Sequence, residues 1–302
     1  MFKNVFFAAF VLLAATSCSN ESVELSNEQA IDQSRLVPVT VRVDGFAVTQ
    51  GDFEVPALTR AASDPASYTG AKALTLAFYT SDGTKQKYCA TQLKADASTY
   101  ETFGSFSLTL PTGSYKMIVL GYNSDYPVVF NSMTEVIFGE EKSRETFCYT
   151  QDVTIEEETP VDLTATLSRI VTRLNVQSTD NRTAEATKVR ISLSKGGRGF
   201  NPITGFATSD AGFVNVAASS TAVGATTLST INFFITEEGE TMDVTIETLD
   251  DEGNVAFSKV VTDVPFRRNR TTKLTGAMYH FGGAAGAFTL ETNWASDFDK
   301  DF

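Results

Sequence analysis

Leu36-Val37-Pro38-Val39-Thr40-Val41-Arg42-Val43-Asp44-Gly45-Phe46-Ala47 sets four valines two residues apart, with Thr40, Arg42 and Asp44 between them. Period two is the repeat of a strand with one face buried and the other wet. Beyond Val48 the chain reaches Leu58-Thr59-Arg60-Ala61-Ala62-Ser63-Asp64-Pro65, small and polar residues after a single arginine, with a proline following. That composition describes exposed backbone of the kind proteases reach. One reading of the pair is a first strand on a cuttable tether, a strand meant to leave. The other is an ordinary edge strand followed by an ordinary loop.

Before this strand, Lys3 precedes the apolar run Val5-Phe6-Phe7-Ala8-Ala9-Phe10-Val11-Leu12-Leu13, the pattern of a secretory signal and too short to span a bilayer. Leu13-Ala14-Ala15-Thr16-Ser17-Cys18 resembles a bacterial lipobox, with cleavage after Ser17 and acylation of the Cys18 thiol. Several acyl chains hold a protein on a membrane far more firmly than one does. Ser19 after the cysteine favours the outer membrane. Plain secretion with Cys18 as a free thiol is the rival. Residues 18–35 are polar, acidic and aperiodic, as a flexible tether would be.

No later stretch is long and apolar enough for a membrane-spanning helix. At 42% hydrophobic residues the chain can bury real cores, and its length suits two domains, 36–165 and 166–302. A formal net charge of −13 excludes nucleic acid as a partner, since no row of cations could neutralise phosphates. Beside Cys18 there are two cysteines, Cys89 and Cys148, both in strand-like surroundings. An exported chain could pair them, but two separate buried thiols is the reading preferred here.

Val, Thr, Phe and Tyr dominate, and turn residues recur at close intervals, which predicts an all-β protein. Leu74 to Tyr79 alternates into Ser81-Asp82-Gly83-Thr84, a hairpin turn. Phe106 to Leu110, Pro111-Thr112-Gly113 and the return Tyr115 to Leu120 predict a second hairpin. Its Leu-Pro-x-Gly-x-Tyr pattern recurs in transthyretin-like sandwiches. Residues 127–132 suggest a turn of helix. Met133–Phe138, Glu145–Val153 and Val161–Leu167 read as strands, and Glu156-Glu157-Glu158 as a solvated loop.

Ser168 to Val176 opens the second domain with no linker composition before it, so the two should be tightly joined. Strands follow at 188–193, 231–235, 242–249, 255–261 and 271–280, with 208–227 read as irregular. Arg267-Arg268-Asn269-Arg270 is read as a turn pinned by Asn269 and nearby carboxylates. Gly196, Gly197 and Gly199 lack the Lys-Ser/Thr pair that a phosphate loop requires. Asp297, Asp299 and Asp301 begin like a calcium loop but lack its glycine and final glutamate. His280 is the single histidine, and no nucleophile elbow, zinc motif or dinucleotide fingerprint occurs. Neither an enzyme nor a cofactor is expected.

Taken in order, several segments resemble the fimbrillin superfamily of the Bacteroidota, lipoprotein subunits of type V pili with their anchor and tip relatives. They are the lipobox at Cys18, the Val37–Val43 strand, the Arg60-Ala61 junction, Leu167 to Leu174, and Val264-Pro265-Phe266-Arg267 through Gly276. The resemblance implies two tandem transthyretin-like (Greek-key) β-sandwich domains after a lipoprotein signal peptide. It also implies assembly: a protease cuts between Arg60 and Ala61, the strand carrying Val37, Val39, Val41, Val43, Phe46 and Val48 leaves, and another subunit's strand replaces it. The donor would come from near Phe288, Leu290 and Trp294. The acidic residues after Trp294 suit a donor poorly, which favours a tip or anchor. Implied partners are other fimbrial subunits, outer-membrane lipid through Cys18, and a host or bacterial surface receptor. The alternatives are an anchor or accessory lipoprotein that keeps its lipid, and a surface glycan-binding lipoprotein.

Overall fold

The computed structural model describes residues 36–47, 64–139, 143–279 and 288–292. Ser17, Cys18, Val48, Arg60, Ala61, His280, Trp294 and the terminal aspartates lie outside the described residues. Among the described residues the regular structure is β, with no α-helix, as the alternation predicts, and it forms two β-sandwiches in tandem. The first contains β1 (Leu36–Ala47), β2 (Ala73–Thr80), β3 (Gln86–Leu93), β4 (Ser105–Pro111), β5 (Gly113–Tyr122), β6 (Val128–Ser132), β7 (Glu135–Phe138), β8 (Thr146–Ile155) and β9 (Val161–Arg169). Its main sheet runs β3-β2-β5-β8-β9-β1-β4. Between β8 and β9 only Phe147↔Arg169 and Cys148↔Ser168 pair, so the sheet folds over there into two facing layers. Val37, Val39, Val41 and Phe46 from one layer meet Leu74, Leu76, Phe78, Met117 and Val119 from the other.

Two local expectations are corrected. Pro111-Thr112-Gly113 does not make a hairpin: β4 pairs with β1, while β5 pairs with β2 and β8. The chain crosses between layers there, and the Tyr115 hydroxyl closes the corner by donating to the Pro111 carbonyl at 2.8 Å. Turn chemistry sets a local reversal; it leaves open which layer the next strand joins. Residues 128–132 form a strand, β6, instead of a helical turn, because β7 pairs with it. The Asp82-Gly83 turn between β2 and β3 is as read, with Asp82 accepting from the Thr80 and Thr84 hydroxyls and the Thr84 N–H.

The second sandwich holds β10 (Thr172–Asn181), β11 (Lys188–Leu193), β12 (Phe200–Asn201), β13 (Phe206–Ala207), β14 (Phe213–Ala218), β15 (Thr226–Phe233), β16 (Thr241–Leu249), β17 (Val255–Pro265), β18 (Thr271–Gly276) and β19 (Thr289–Thr292). Its layers are β15-β10-β18-β19 and β14-β11-β16-β17. The wiring repeats the first sandwich. β10 lies parallel to β18 and antiparallel to β15, as β1 lies parallel to β9 and antiparallel to β4. The stretch expected to be irregular contains β14 and the start of β15. Its alanines, serines and threonines gave no clear period.

The sandwiches are bound closely. β9 ends at Arg169 and β10 begins at Thr172, and the link, Ile170-Val171, is buried. A small sheet, β13-β12-β7-β6, takes one hairpin from each sandwich and joins them at Phe200↔Val136. Its apolar side packs over Ala73, Ala77, Tyr79, Ile118, Leu120 and Tyr122. The middle of the first sandwich is thereby covered on both faces. That explains why β2 is buried along almost its whole length, where a two-layer sandwich would show alternation.

Candidate functional site

The strand that opens the sequence analysis sits in a slot. β1 is interior to its layer, flanked by β4 from Leu36↔Pro111 to Arg42↔Ser105 and by β9 from Val39↔Val161 to Ala47↔Ser168. The edge-strand reading is therefore set aside. Thr40, Arg42 and Asp44 point outward, while Val37, Val39, Val41, Val43 and Phe46 are at most 6% exposed. A bulge between Val43 and Gly45 shifts the register, so that Phe46, three residues after Val43, again faces the core.

Phe46 is fully buried. Its ring lies 4.8 Å from those of both Tyr68 and Phe147, which meet edge to face at 5.5 Å. Opposite it is Gly121, where a Cβ would come within 2.5 Å of the Phe46 ring. Any side chain there would fill the space that the aromatic ring occupies. Outward contacts add little: Arg42 and Asp162 are 3.9 Å apart and both largely exposed, an arrangement worth under about 1 kcal/mol.

Behind the Phe46 pocket lies a buried polar cluster that joins the sandwiches. The Arg169 guanidinium lies 4.9 Å over the Phe147 ring. It donates to Glu145 at 2.6 and 3.0 Å, to the Tyr68 hydroxyl at 3.0 Å and to the Asn269 side-chain oxygen at 2.8 Å. Tyr68 in turn donates to Glu145 at 3.1 Å, and Arg173 stands 3.8 Å from the same carboxylate. Asn269 has φ of 55° and its N–H bonds the Val171 carbonyl, so the basic turn is pinned much as its sequence suggests. Arg268 pairs with Glu238 at 3.2 Å. The cluster escaped sequence reading because its members lie far apart in the chain.

The remaining expected residues are placed as follows. Phe288 packs on the second core against Gly276, and Leu290, 43% exposed, pairs with Leu274 at the β18 edge. Of the proposed donor residues, Leu290 thus lies in the edge strand β19 of its own sandwich, Phe288 packs just before it, and Trp294 lies outside the described residues. Cys89 and Cys148 lie on β3 and β8, with β2 and β5 between them, and are not bonded to each other. Burial pushes the Cys148 thiol up to about 12, and it donates to the Pro202 carbonyl. Since the thiolate is the reactive form, Cys148 should resist maleimide at pH 8 in the native protein and react after denaturation. Peptide mapping of the labelled chain, with half-buried Cys89 as the internal comparison, checks this.

A polar cleft of about 380 Å³ between the sandwiches adjoins this cluster at Glu145 and is lined also by Lys72, Asn123, Arg144, Arg198, Asn215 and Asn232. Among the described residues no group of three or more His, Cys, Asp or Glu is placed to hold a metal ion.

Residues 43–301 match the model of a family of unknown function, DUF6562. The chain belongs to this family. No curated protein matches it. Among solved structures, two from Bacteroides ovatus, each described as a "putative adhesin", share the DUF6562 chain's fold at TM-score 0.50 and 12% identity. The alignments cover 80% of this chain and 88% of the first, and 84% of this chain and 96% of the second. The fimbrial anchor protein Mfa2 from Porphyromonas gingivalis aligns over 85% of the DUF6562 chain and 97% of its own length, at 11% identity and TM-score 0.47. At these identities the likeness concerns fold.

Proposed function

We propose that the protein is a structural subunit or tip adhesin of an outer-membrane-tethered fimbria, assembled by replacement of β1. The observation carrying this reading is the position of β1: first among the described strands, yet held in the middle of a layer with five side chains buried. An N-terminal strand can be withdrawn without unthreading any other part of the chain. Burying five such side chains contributes on the order of 10 kcal/mol, comparable to the whole stability of a domain. Withdrawal also bares the ladder groups of β4 and β9, which need partners. The vacated slot would therefore demand a replacement strand, with main chain supplying affinity and alternate pockets supplying register. The shared fold of two structures described as adhesins is in keeping with a surface role.

In this reading the chain is lipidated at Cys18, cut between Arg60 and Ala61, and supplies a donor from the region of Phe288, Leu290 and Trp294. It performs no catalysis and needs no cofactor. Mass spectrometry of the surface-exposed protein tests it: the mature chain should begin at Ala61, and Arg60→Ala should retain the first strand and abolish fibres. Recovery of an intact chain still carrying acylated Cys18 would instead identify the anchor or accessory lipoprotein. A second reading, a glycan-binding surface protein, draws on the polar cleft, whose Asn123, Asn215 and Asn232 offer amides to sugar hydroxyls. A positive glycan array abolished by Asn215→Ala would favour it.

A further inference from the structure

The loop Lys195-Gly196-Gly197-Arg198-Gly199, which lacks the parts of a phosphate cradle, brings one cation to the cleft between the sandwiches. Its glycines stand where side chains would collide. A Cβ at Gly196, whose φ is 75°, would come within 2.8 Å of the Phe234 carbonyl oxygen, and one at Gly199 would lie 3.0 Å from Ile137 and Thr208. Gly197 and Phe234 exchange main-chain hydrogen bonds at 3.0 and 3.1 Å, and the Thr208 N–H donates to the Gly199 carbonyl at 3.2 Å. Arg198 is thus mounted on backbone tied down at both sides. Its guanidinium donates to the Val214 carbonyl and lies 5.4 Å over the Phe213 ring, which Phe233 backs at 5.7 Å.

Among the described residues Arg198 meets no carboxylate, in a chain with 37 acidic residues against 24 basic ones. The two acidic residues lining the cleft are already engaged. Asp125 pairs with Lys72 at 2.8 Å, and Glu145 pairs with Arg169 at 2.6 Å. Ser143 also lines the cleft, and its hydroxyl is buried without a hydrogen-bond partner in the protein. Asn232 accepts from Arg173 Nε at 3.1 Å through its side-chain oxygen, which leaves its amide N–H groups for a ligand. The side chains of Asn123 and Asn215 make no hydrogen bond within the described chain.

We propose that the cleft holds a sugar bearing a carboxylate, with Arg198 pairing the carboxylate and the three amides taking ring hydroxyls. This rests on the glycan-binding reading of the cleft and adds the charge of its ligand. A guanidinium presents parallel N–H groups that match the two carboxylate oxygens, and such bonds are roughly twice as strong as neutral ones. Sugar hydroxyls both donate and accept, as amide side chains do. Of the lining residues only Phe213, Ala217 and Ile231 are apolar, too few to seat the apolar face of a peptide helix. The net charge of −13 repels a long polyanion. With a volume of about 380 Å³, near the small end of ligand sites, the fit is to one acidic residue at a chain end.

The test is an array of oligosaccharides ending in a hexuronic or sialic acid, each beside its carboxyl-reduced form, probed with the purified full chain and followed by titration. Acidic members should bind at least about tenfold more tightly than their reduced forms. Arg198→Gln should bring that ratio close to one. Mere loosening of the loop would weaken both forms alike and leave the ratio standing. Asn215→Ala should lower both affinities and keep the ratio. Equal binding of the two forms, lost with Asn215→Ala, would overturn the proposal and leave the glycan-binding reading intact. An acidic preference that survives Arg198→Gln would overturn the assignment to this cleft. Capture of no sugar at all would sink both.

Discussion

Phe46→Ala is expected to destabilise the first sandwich by about 3–5 kcal/mol, the usual cost of emptying a large aromatic site. The site has little freedom to collapse. Tyr68 is held by Arg169 and Glu145, Phe147 lies beneath the same guanidinium, and Gly121 has no side chain to move inward. Urea unfolding of the purified chain should show the loss as an earlier transition. Gly121→Ala approaches the same pocket from the other wall. Its methyl would meet the Phe46 ring at 2.5 Å, and overpacking of that kind costs about 1–3 kcal/mol. In the Phe46→Ala background the methyl finds room, so the two losses should fall short of additive. Additive effects, or a loss below about 1 kcal/mol for Phe46→Ala, would mean that the end of β1 is not anchored as described. For the proposed replacement of β1, the pocket sets a requirement: an incoming strand needs a large apolar ring at this position.

The second large effect is expected at the joint. Glu145→Ala leaves Arg169, whose side chain is 1% exposed, without its carboxylate. Removing one partner of a buried ion pair costs about 3–5 kcal/mol, because the remaining charge stays buried and unpaired. Arg169→Ala should cost a similar amount, since it strips Glu145, Tyr68 and Asn269 together. The double variant should be less damaged than the sum of the two, as neither member of the pair is then stranded, although Arg173 loses its nearby carboxylate. A double-mutant cycle by thermal unfolding reads this directly. Full additivity would show that the pair contributes little and that shape alone holds the joint.

Much of this architecture was legible from residue order, and the reasons for success and failure are physical. Alternation identified β1, β2, β11 and β16 because each presents one face to a core and one to a wetter side, or runs long enough for its apolar residues to register. The turns at Asp82-Gly83 and Asp250 to Asn254 were readable because their side chains bond their own backbone. The corner at Pro111 misled because a turn is local and the choice of layer is not. β12 and β13 are two residues each, too short for any period, and exist only because β7 pairs with β12. At the candidate site, the valines of β1 were visible but its confinement between β4 and β9 was not. Phe46 stood out as apolar; its aromatic neighbours come from residues 68 and 147, which only the fold brings together.

The sheet shared between the sandwiches has a mechanical consequence. With only Ile170 and Val171 as a link and Phe200↔Val136 stitching one hairpin to the other, there is no slack to draw out under tension. A pull between the halves must shear the apolar layer around Phe200, Phe234 and Tyr122 as a block before either end yields. A chain so built would carry load as one rod. Pulled at its two ends, it would transmit force along its length without lengthening.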